Sequence, residues 1–114
     1  MKEKEILRSV ILRLKVYELT GDVLWHSRLN SGKINTGRGY VQLCEAGTPD
    51  VMAIVRGVNK IIVVFIECKA TGVKKLRYEQ KEFFKSMAHH EYIFCVLIND
   101  PKQLPLAIKK AREL

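Results

Sequence analysis

Two carboxylates, Asp50 and Glu67, and one ammonium, Lys69, interrupt apolar runs that otherwise belong in a core, Val51 to Val55 and Ile61 to Ile66. Carboxylate oxygens and backbone carbonyls are the ligands that hard cations such as Mg²⁺ or Mn²⁺ take. A lysine beside them can position a water or balance charge on a phosphate, and together these groups are suited to phosphodiester hydrolysis. The bland reading of the same residues is a turn cap at Asp50 and a solvated strand end at Glu67 and Lys69. Spacing alone leaves the two readings level.

What brings these groups together is a hairpin. Both runs are β-branched and apolar, and Gly57-Val58-Asn59 between them is turn material. A loop of two or four residues centred between Val58 and Asn59 makes paired residue numbers sum to 117, so Met52 faces Phe65, Ile54 faces Val63 and Asp50 faces Glu67. Directly opposed residues hold their Cβ atoms about 4.5–5.5 Å apart, where like charges repel unless something neutralises them. Period-two alternation puts Lys69 on the face of Glu67 and turns Cys68 away. A three- or five-residue loop without a bulge would disperse the site.

The first helix is expected over residues 2 to 19, with Ile6, Leu7, Val10, Ile11, Leu14 and Tyr17 at helical spacing and Gly21 as the stop. Glu3 is in line with Leu7, Val10 and Leu14, whereas Glu5 lies on the other side. If this helix packs on the sheet, Glu3 points inward as a further carboxylate for the metal. Against this, residue 3 can fray, and acids favour any helix N-terminus.

Asp22 to His26 reads as a short strand with Val23 and Trp25 on one face, and Val41 to Cys44 as an edge strand. Between them the chain is polar and glycine-rich, with Gly32, Gly37 and Gly39 interleaving Arg28, Lys33 and Arg38. Such a loop suits contacts to a nucleic-acid backbone, Arg38 foremost and Lys33 beside it, although most such loops are solvated connections. The hairpin reads as apolar on both faces, so helices are expected to cover both.

A second helix is expected from about Leu76 to His89, with Leu76, Phe83, Phe84 and Met87 inward. Gln80 falls in that stripe, so its amide must find buried partners, either core backbone or the site. Lys74, Arg77, Lys81 and Lys85 form a basic ridge, a hydrated face or a place for a phosphate backbone. His89 and His90 point apart and suit the helix C-terminus better than a zinc ion. Tyr92 to Ile98 reads as a buried strand, Asn99-Asp100-Pro101 as a turn, and Leu106 to Glu113 as a last helix opened by Pro105.

At 114 residues the chain is one domain, 1–114, and large enough for its own core. Three cysteines without C-x-x-C spacing indicate neither a disulfide framework nor zinc. The apolar run Ile61 to Ile66 is far short of the roughly 18 residues needed to span a bilayer, and MKEKE lacks a signal-peptide core, so an intracellular, cytoplasmic, soluble protein with no membrane partner is expected. Lys and Arg exceed Asp and Glu by 20 to 12, a net charge of +8 that favours a polyanionic partner.

Pro49-Asp50, then Glu67-Cys68-Lys69 closing an apolar strand, then Gln80 on the next helix, resembles the PD-(D/E)XK nuclease superfamily, and within it the virus-type replication-repair nuclease (VRR-NUC) family. Gly47 before Thr48-Pro49-Asp50, and Gly72 after Lys69, add to the match, whose core runs from about Gly47 to Met87. The resemblance implies an α/β, restriction-endonuclease-like sandwich with a central mixed β-sheet flanked by helices. It implies Mg²⁺ or Mn²⁺ held by Asp50, Glu67 and the Cys68 main-chain carbonyl, with Lys69 assisting the attacking water or stabilising the transition state and Gln80 orienting the site. In this family a glutamate of the first helix often completes the cluster, the place of Glu3. Arg77 departs from the Ser or Thr expected as a helix cap.

Family members made of this domain alone resemble homodimeric resolvases of four-way (Holliday) junctions, in a phage or bacterial context. The implied activity is therefore a deoxyribonuclease acting on branched DNA. A flap or end-processing nuclease, and a non-catalytic nucleic-acid-binding module or subunit, are the alternatives.

Overall fold

The computed structural model describes residues 1–29, 33–42 and 44–114, with backbone alone at 33, 34, 41 and 42. Helix α1 (Glu3–Thr20) is followed by β1 (Val23–Arg28), a hairpin of β2 (Lys33–Asn35) and β3 (Tyr40–Gln42), then β4 (Val51–Arg56) and β5 (Ile61–Cys68). Helix α2 (Tyr78–Met87) leads to β6 (Ile93–Ile98), and a 3₁₀ turn (Pro101–Gln103) runs into α3 (Leu104–Arg112). The architecture is α/β, with a four-stranded mixed sheet in the order β1-β4-β5-β6. Among the described residues only β5 and β6 run parallel, and α2 is the crossover between them.

The β4–β5 register is the one that the turn dictates. Val51 pairs with Ile66, Met52 with Phe65, Ile54 with Val63 and Arg56 with Ile61. The Gly57 N–H donates to the Lys60 carbonyl at 2.9 Å, and Asn59 takes the left-handed conformation at φ 56° that a tight turn needs. Alternation then sorts the hairpin into two faces. Val51, Ala53, Val55, Ile62, Val64, Ile66 and Cys68 are fully buried. They meet Ile6, Val10 and Leu14 of α1 and Leu104, Ile108 and Ala111 of α3 in one core. Helix α1 ends as expected, with Gly21 at φ 87° after the last turn.

The other face departs from the expectation of full burial. Met52, Ile54, Val63 and Phe65 are only half-buried, because one short helix, α2, lies on that side. Its Phe83 packs edge-to-face on Phe65 with ring centroids 5.0 Å apart. Leu76 precedes α2, and Phe83, Phe84 and Met87 are half-buried.

Val23 and Trp25 do not share a face. Val23 pairs with Val55 but Trp25 with Ile54, so a bulge at Leu24 resets the alternation. Val23 is buried and Trp25 is 47 % exposed. The glycine-rich segment is also more ordered than a loop: β2 and β3 pair antiparallel in a sheet of their own, so residues 40–42 serve that hairpin and Cys44 is outside any strand. The last helix starts two residues before Leu106, because Asp100 caps the preceding 3₁₀ turn through the Lys102 N–H at 2.9 Å. Among the described residues, no helix is long and apolar enough to cross a membrane.

Candidate active site

Asp50 is the residue before β4 and Glu67 the penultimate residue of β5, so the sheet register places them opposite one another. In place of a ladder bond, the Asp50 carboxylate takes the strand amide: Cys68 N–H donates to Oδ2 at 2.7 Å. The Asp50 carbonyl accepts from Leu29 N–H at 2.7 Å, which ties the end of β1 to the same point. Asp50 is thereby fixed through both its main chain and its side chain. Cys68 itself is turned into the core, as alternation requires, and burial first, then the nearby carboxylates of Asp50, Glu67 and Glu3, push its thiol pKa well up. Cys95, half-buried on β6, has its thiol pushed up to about 11 by burial.

Gln80 is the buried residue of α2, 2 % exposed, and it organises the rest. Its Nε2 donates to Glu67 Oε1 at 2.9 Å, while its Oε1 accepts from Lys69 Nζ at 2.9 Å and from the Arg77 N–H at 2.8 Å. This orientation of the amide is the only one that satisfies all three, because a flip would face NH₂ against an ammonium and an N–H. The bond from Arg77 is half of a capping box. A guanidinium has no acceptor for the other half, so the helix start rests on Gln80 rather than on Arg77. Lys69 Nζ stands 3.9 Å from Glu67 Oε1, with the amide oxygen as its nearer partner.

Glu67 is 3 % exposed, and its Oε2 is buried with no hydrogen-bond partner among the described residues. Burial is the main reason that its pKa is pushed up to about 8, followed by the Asp50 charge and by the hydrogen bond that a protonated Glu67 would donate to Asp50. Lys69 opposes the rise, and Glu3 adds the last contribution to it. An acceptor left bare beside a second carboxylate is satisfied either by a proton or by a cation. Two carboxylates are also the oxygen donor set of a hard cation, so the residues present fit Mg²⁺ or Mn²⁺.

Glu3 is solvent-exposed, in the first turn of α1, close enough for its charge to reach Glu67. That turn is held near Lys69 because the Thr71 N–H donates to the Met1 carbonyl at 3.0 Å. Among the described residues, no three His, Cys, Asp or Glu side chains stand together as a metal cluster, so Glu3 is beside the pair rather than in it. Lys74, Arg77 and Lys81 are exposed around the start of α2. Arg38 is exposed at the tip of the separate β2–β3 hairpin, and the Lys33 side chain lies outside the described residues. His89 and His90 are exposed.

No family model, curated protein or solved structure matches this chain.

Asn99 belongs to the site's support and was read from sequence only as a turn residue. It is 8 % exposed at the end of β6, and its Nδ2 donates to the Val73 carbonyl at 3.0 Å, holding the segment between Lys69 and Gln80. Gln103 locks it from both sides, donating Nε2 to Asn99 Oδ1 at 3.0 Å and accepting the Asn99 N–H at 2.9 Å. The Asn-x-x-x-Gln spacing was the available signal, since residues four apart meet across one turn. Gly47 acts from the other side, where its bare backbone packs against Glu79.

Proposed function

We propose that the chain is a divalent-metal-dependent nuclease of restriction-endonuclease-like fold that hydrolyses phosphodiester bonds in DNA. One observation carries the reading: Glu67 presents a buried, partnerless oxygen beside Asp50 while Gln80 holds its other oxygen. Asp50, Glu67 and the Cys68 main-chain carbonyl are the groups that would hold Mg²⁺ or Mn²⁺, with Glu3 supplying negative charge from the rim. When bound, such a cation polarises phosphate oxygens and lowers the pKa of a water.

The protein groups have separate tasks. Gln80 fixes Glu67 and Lys69 relative to each other, so that neither must reorganise as charge develops. Lys69, 11 % exposed at its side chain, offers its ammonium to the phosphoryl oxygens from a site where water screens it poorly. The positive balance of the chain, +8, suits a polyanionic substrate.

Four-way DNA junctions, cut in a paired fashion by a homodimer, are the substrate and assembly proposed from the family resemblance. A second reading is a nucleic-acid-binding module without catalysis, favoured by the fact that two carboxylates alone are also satisfied by one shared proton. Cleavage of matched four-way, flap, single-stranded and duplex DNA by wild type and Glu67→Ala, with Mg²⁺, Mn²⁺ or EDTA, separates these. The nuclease reading requires metal-dependent cutting that the substitution abolishes. Paired symmetric nicks assign the junction, and binding without cutting of any substrate leaves the module.

A further inference from the structure

A groove of about 380 Å³ opens between α1 and the end of the edge strand β1, lined by Lys4, Leu7, Arg8, Ile11 and Arg28. Its size falls within the range of about 300–1,000 Å³ typical of ligand clefts. Its make-up follows from local geometry. Lys4 and Arg8 are four apart on α1 and project from one side, Leu7 and Ile11 turn toward the core and form an apolar floor, and Arg28 closes the groove as the last residue of β1.

Among the described residues, none of the three cations has a carboxylate within ion-pair reach; the pairs formed are His26–Glu18, Lys69–Glu67, Lys85–Glu82 and Arg112–Asp22. Glu5, the acid nearest along the helix to Arg8, turns back to accept the Lys2 N–H at 3.3 Å. The groove therefore carries three positive charges, paired with no carboxylate among the described residues, over an apolar base.

Its placement gives the charge a direction. Lys4 follows Glu3, whose charge reaches Glu67. Arg28 pairs with Val51 in the sheet and precedes Leu29, whose N–H binds the Asp50 carbonyl at 2.7 Å. The groove thus lies at the end of the sheet that carries the Asp50–Glu67 pair, with α1 and Arg28 on the Val51 face and the two carboxylates on the other. We propose that Lys4, Arg8 and Arg28 form a subsite for the DNA sugar-phosphate backbone at the end of the sheet that carries the Asp50–Glu67 pair, with phosphates on the cations and the sugar against Leu7 and Ile11. This rests on the nuclease reading for its ligand but not for its test.

The test is the salt dependence of binding to a short DNA duplex in EDTA, so that no cutting intervenes. Each phosphate contact contributes about 0.9 to the slope of log K against log salt. The triple variant Lys4→Gln, Arg8→Gln, Arg28→Gln is expected to lose at least 2 from that slope. Lys109→Gln with Lys110→Gln, on α3 and remote from the groove, is expected to keep it. Arg8→Lys with Arg28→Lys, which preserves charge, is also expected to keep it and guards against a mere folding defect. A loss of less than 2, or an equal loss in the α3 variant, overturns the proposal. Binding of the wild type to anionic phospholipid vesicles that depends on the triad, with an unchanged DNA slope, overturns it in favour of a membrane surface. If the slope falls but no metal supports cutting, the subsite stands and the nuclease reading fails; metal-dependent cutting with an unchanged slope gives the reverse.

Discussion

The backbone of Gly47 lies against that of Glu79 so closely that a single added methyl group would overlap the Glu79 carbonyl. Gly47 also has φ 91°, a conformation that side chains disfavour. The loop carrying Pro49 and Asp50 is thereby pressed onto the first turn of α2, one residue from Gln80.

Gly47→Ala is therefore expected to cost about 2–4 kcal/mol, combining left-handed strain and overpacking, and to separate Gln80 from Glu67. Chemical denaturation measures the first effect. Cleavage at a temperature where the variant is folded measures the second, which should fall at least tenfold. Full activity in a folded variant would show that the loop–helix contact is dispensable.

Gln80→Ala strands three groups at once: Lys69, Glu67 Oε1 and the Arg77 N–H lose their shared partner. The expected loss is about 1–3 kcal/mol, seen as a lower denaturation midpoint. Gln80→Glu keeps an acceptor for Lys69 but replaces the N–H that Glu67 uses. It should weaken divalent-cation binding, measured by calorimetry, less than Glu67→Ala does but more than Arg77→Ala does.

The carboxyl of Glu67, pushed up to about 8, makes a signed prediction for stability. The folded state holds this proton more tightly than the unfolded chain, so the contribution is complete below the ordinary carboxylate range near 4.5 and is lost as pH rises through about 8. Metal-free protein should lose a few kcal/mol over that interval. Glu67→Gln, whose amide can donate to Asp50 at any pH, should flatten the profile.

Mg²⁺ or Mn²⁺ should reverse the loss, because a cation takes the place of the proton and releases it. At pH 8 a hundredfold excess over the dissociation constant should add about 2.7 kcal/mol, read as a rise in melting temperature. No rise in the wild type beyond that of Glu67→Gln would sink the metal assignment.

How much of this could be read from residues alone depends on how local the cause was. Asp50 and Glu67 could be matched because one tight turn sets the whole β4–β5 register. Gln80 could be placed inward because helical spacing is a local property, and the structure finds it buried. The face of Trp25 could not be read, since the Leu24 bulge depends on pairing with β4. The bond from Cys68 N–H to Asp50 replaces a ladder bond where β4 begins, and no residue type announces it. The groove at Lys4, Arg8 and Arg28 joins residues far apart in the chain, so only the docking of α1 on β1 reveals it. Asn99 was legible as a turn former, but its hold on Val73 needed the crossover to be closed.

The connectivity of β4, β5 and α2 also sets an order of assembly during synthesis. Hairpins close through short-range contacts, whereas parallel pairs wait for their crossover. Asp50 and Glu67 belong to the hairpin, but Gln80 follows Cys68 by twelve residues and arrives only with α2. The nascent chain therefore brings two like charges together before the amide that steadies them exists.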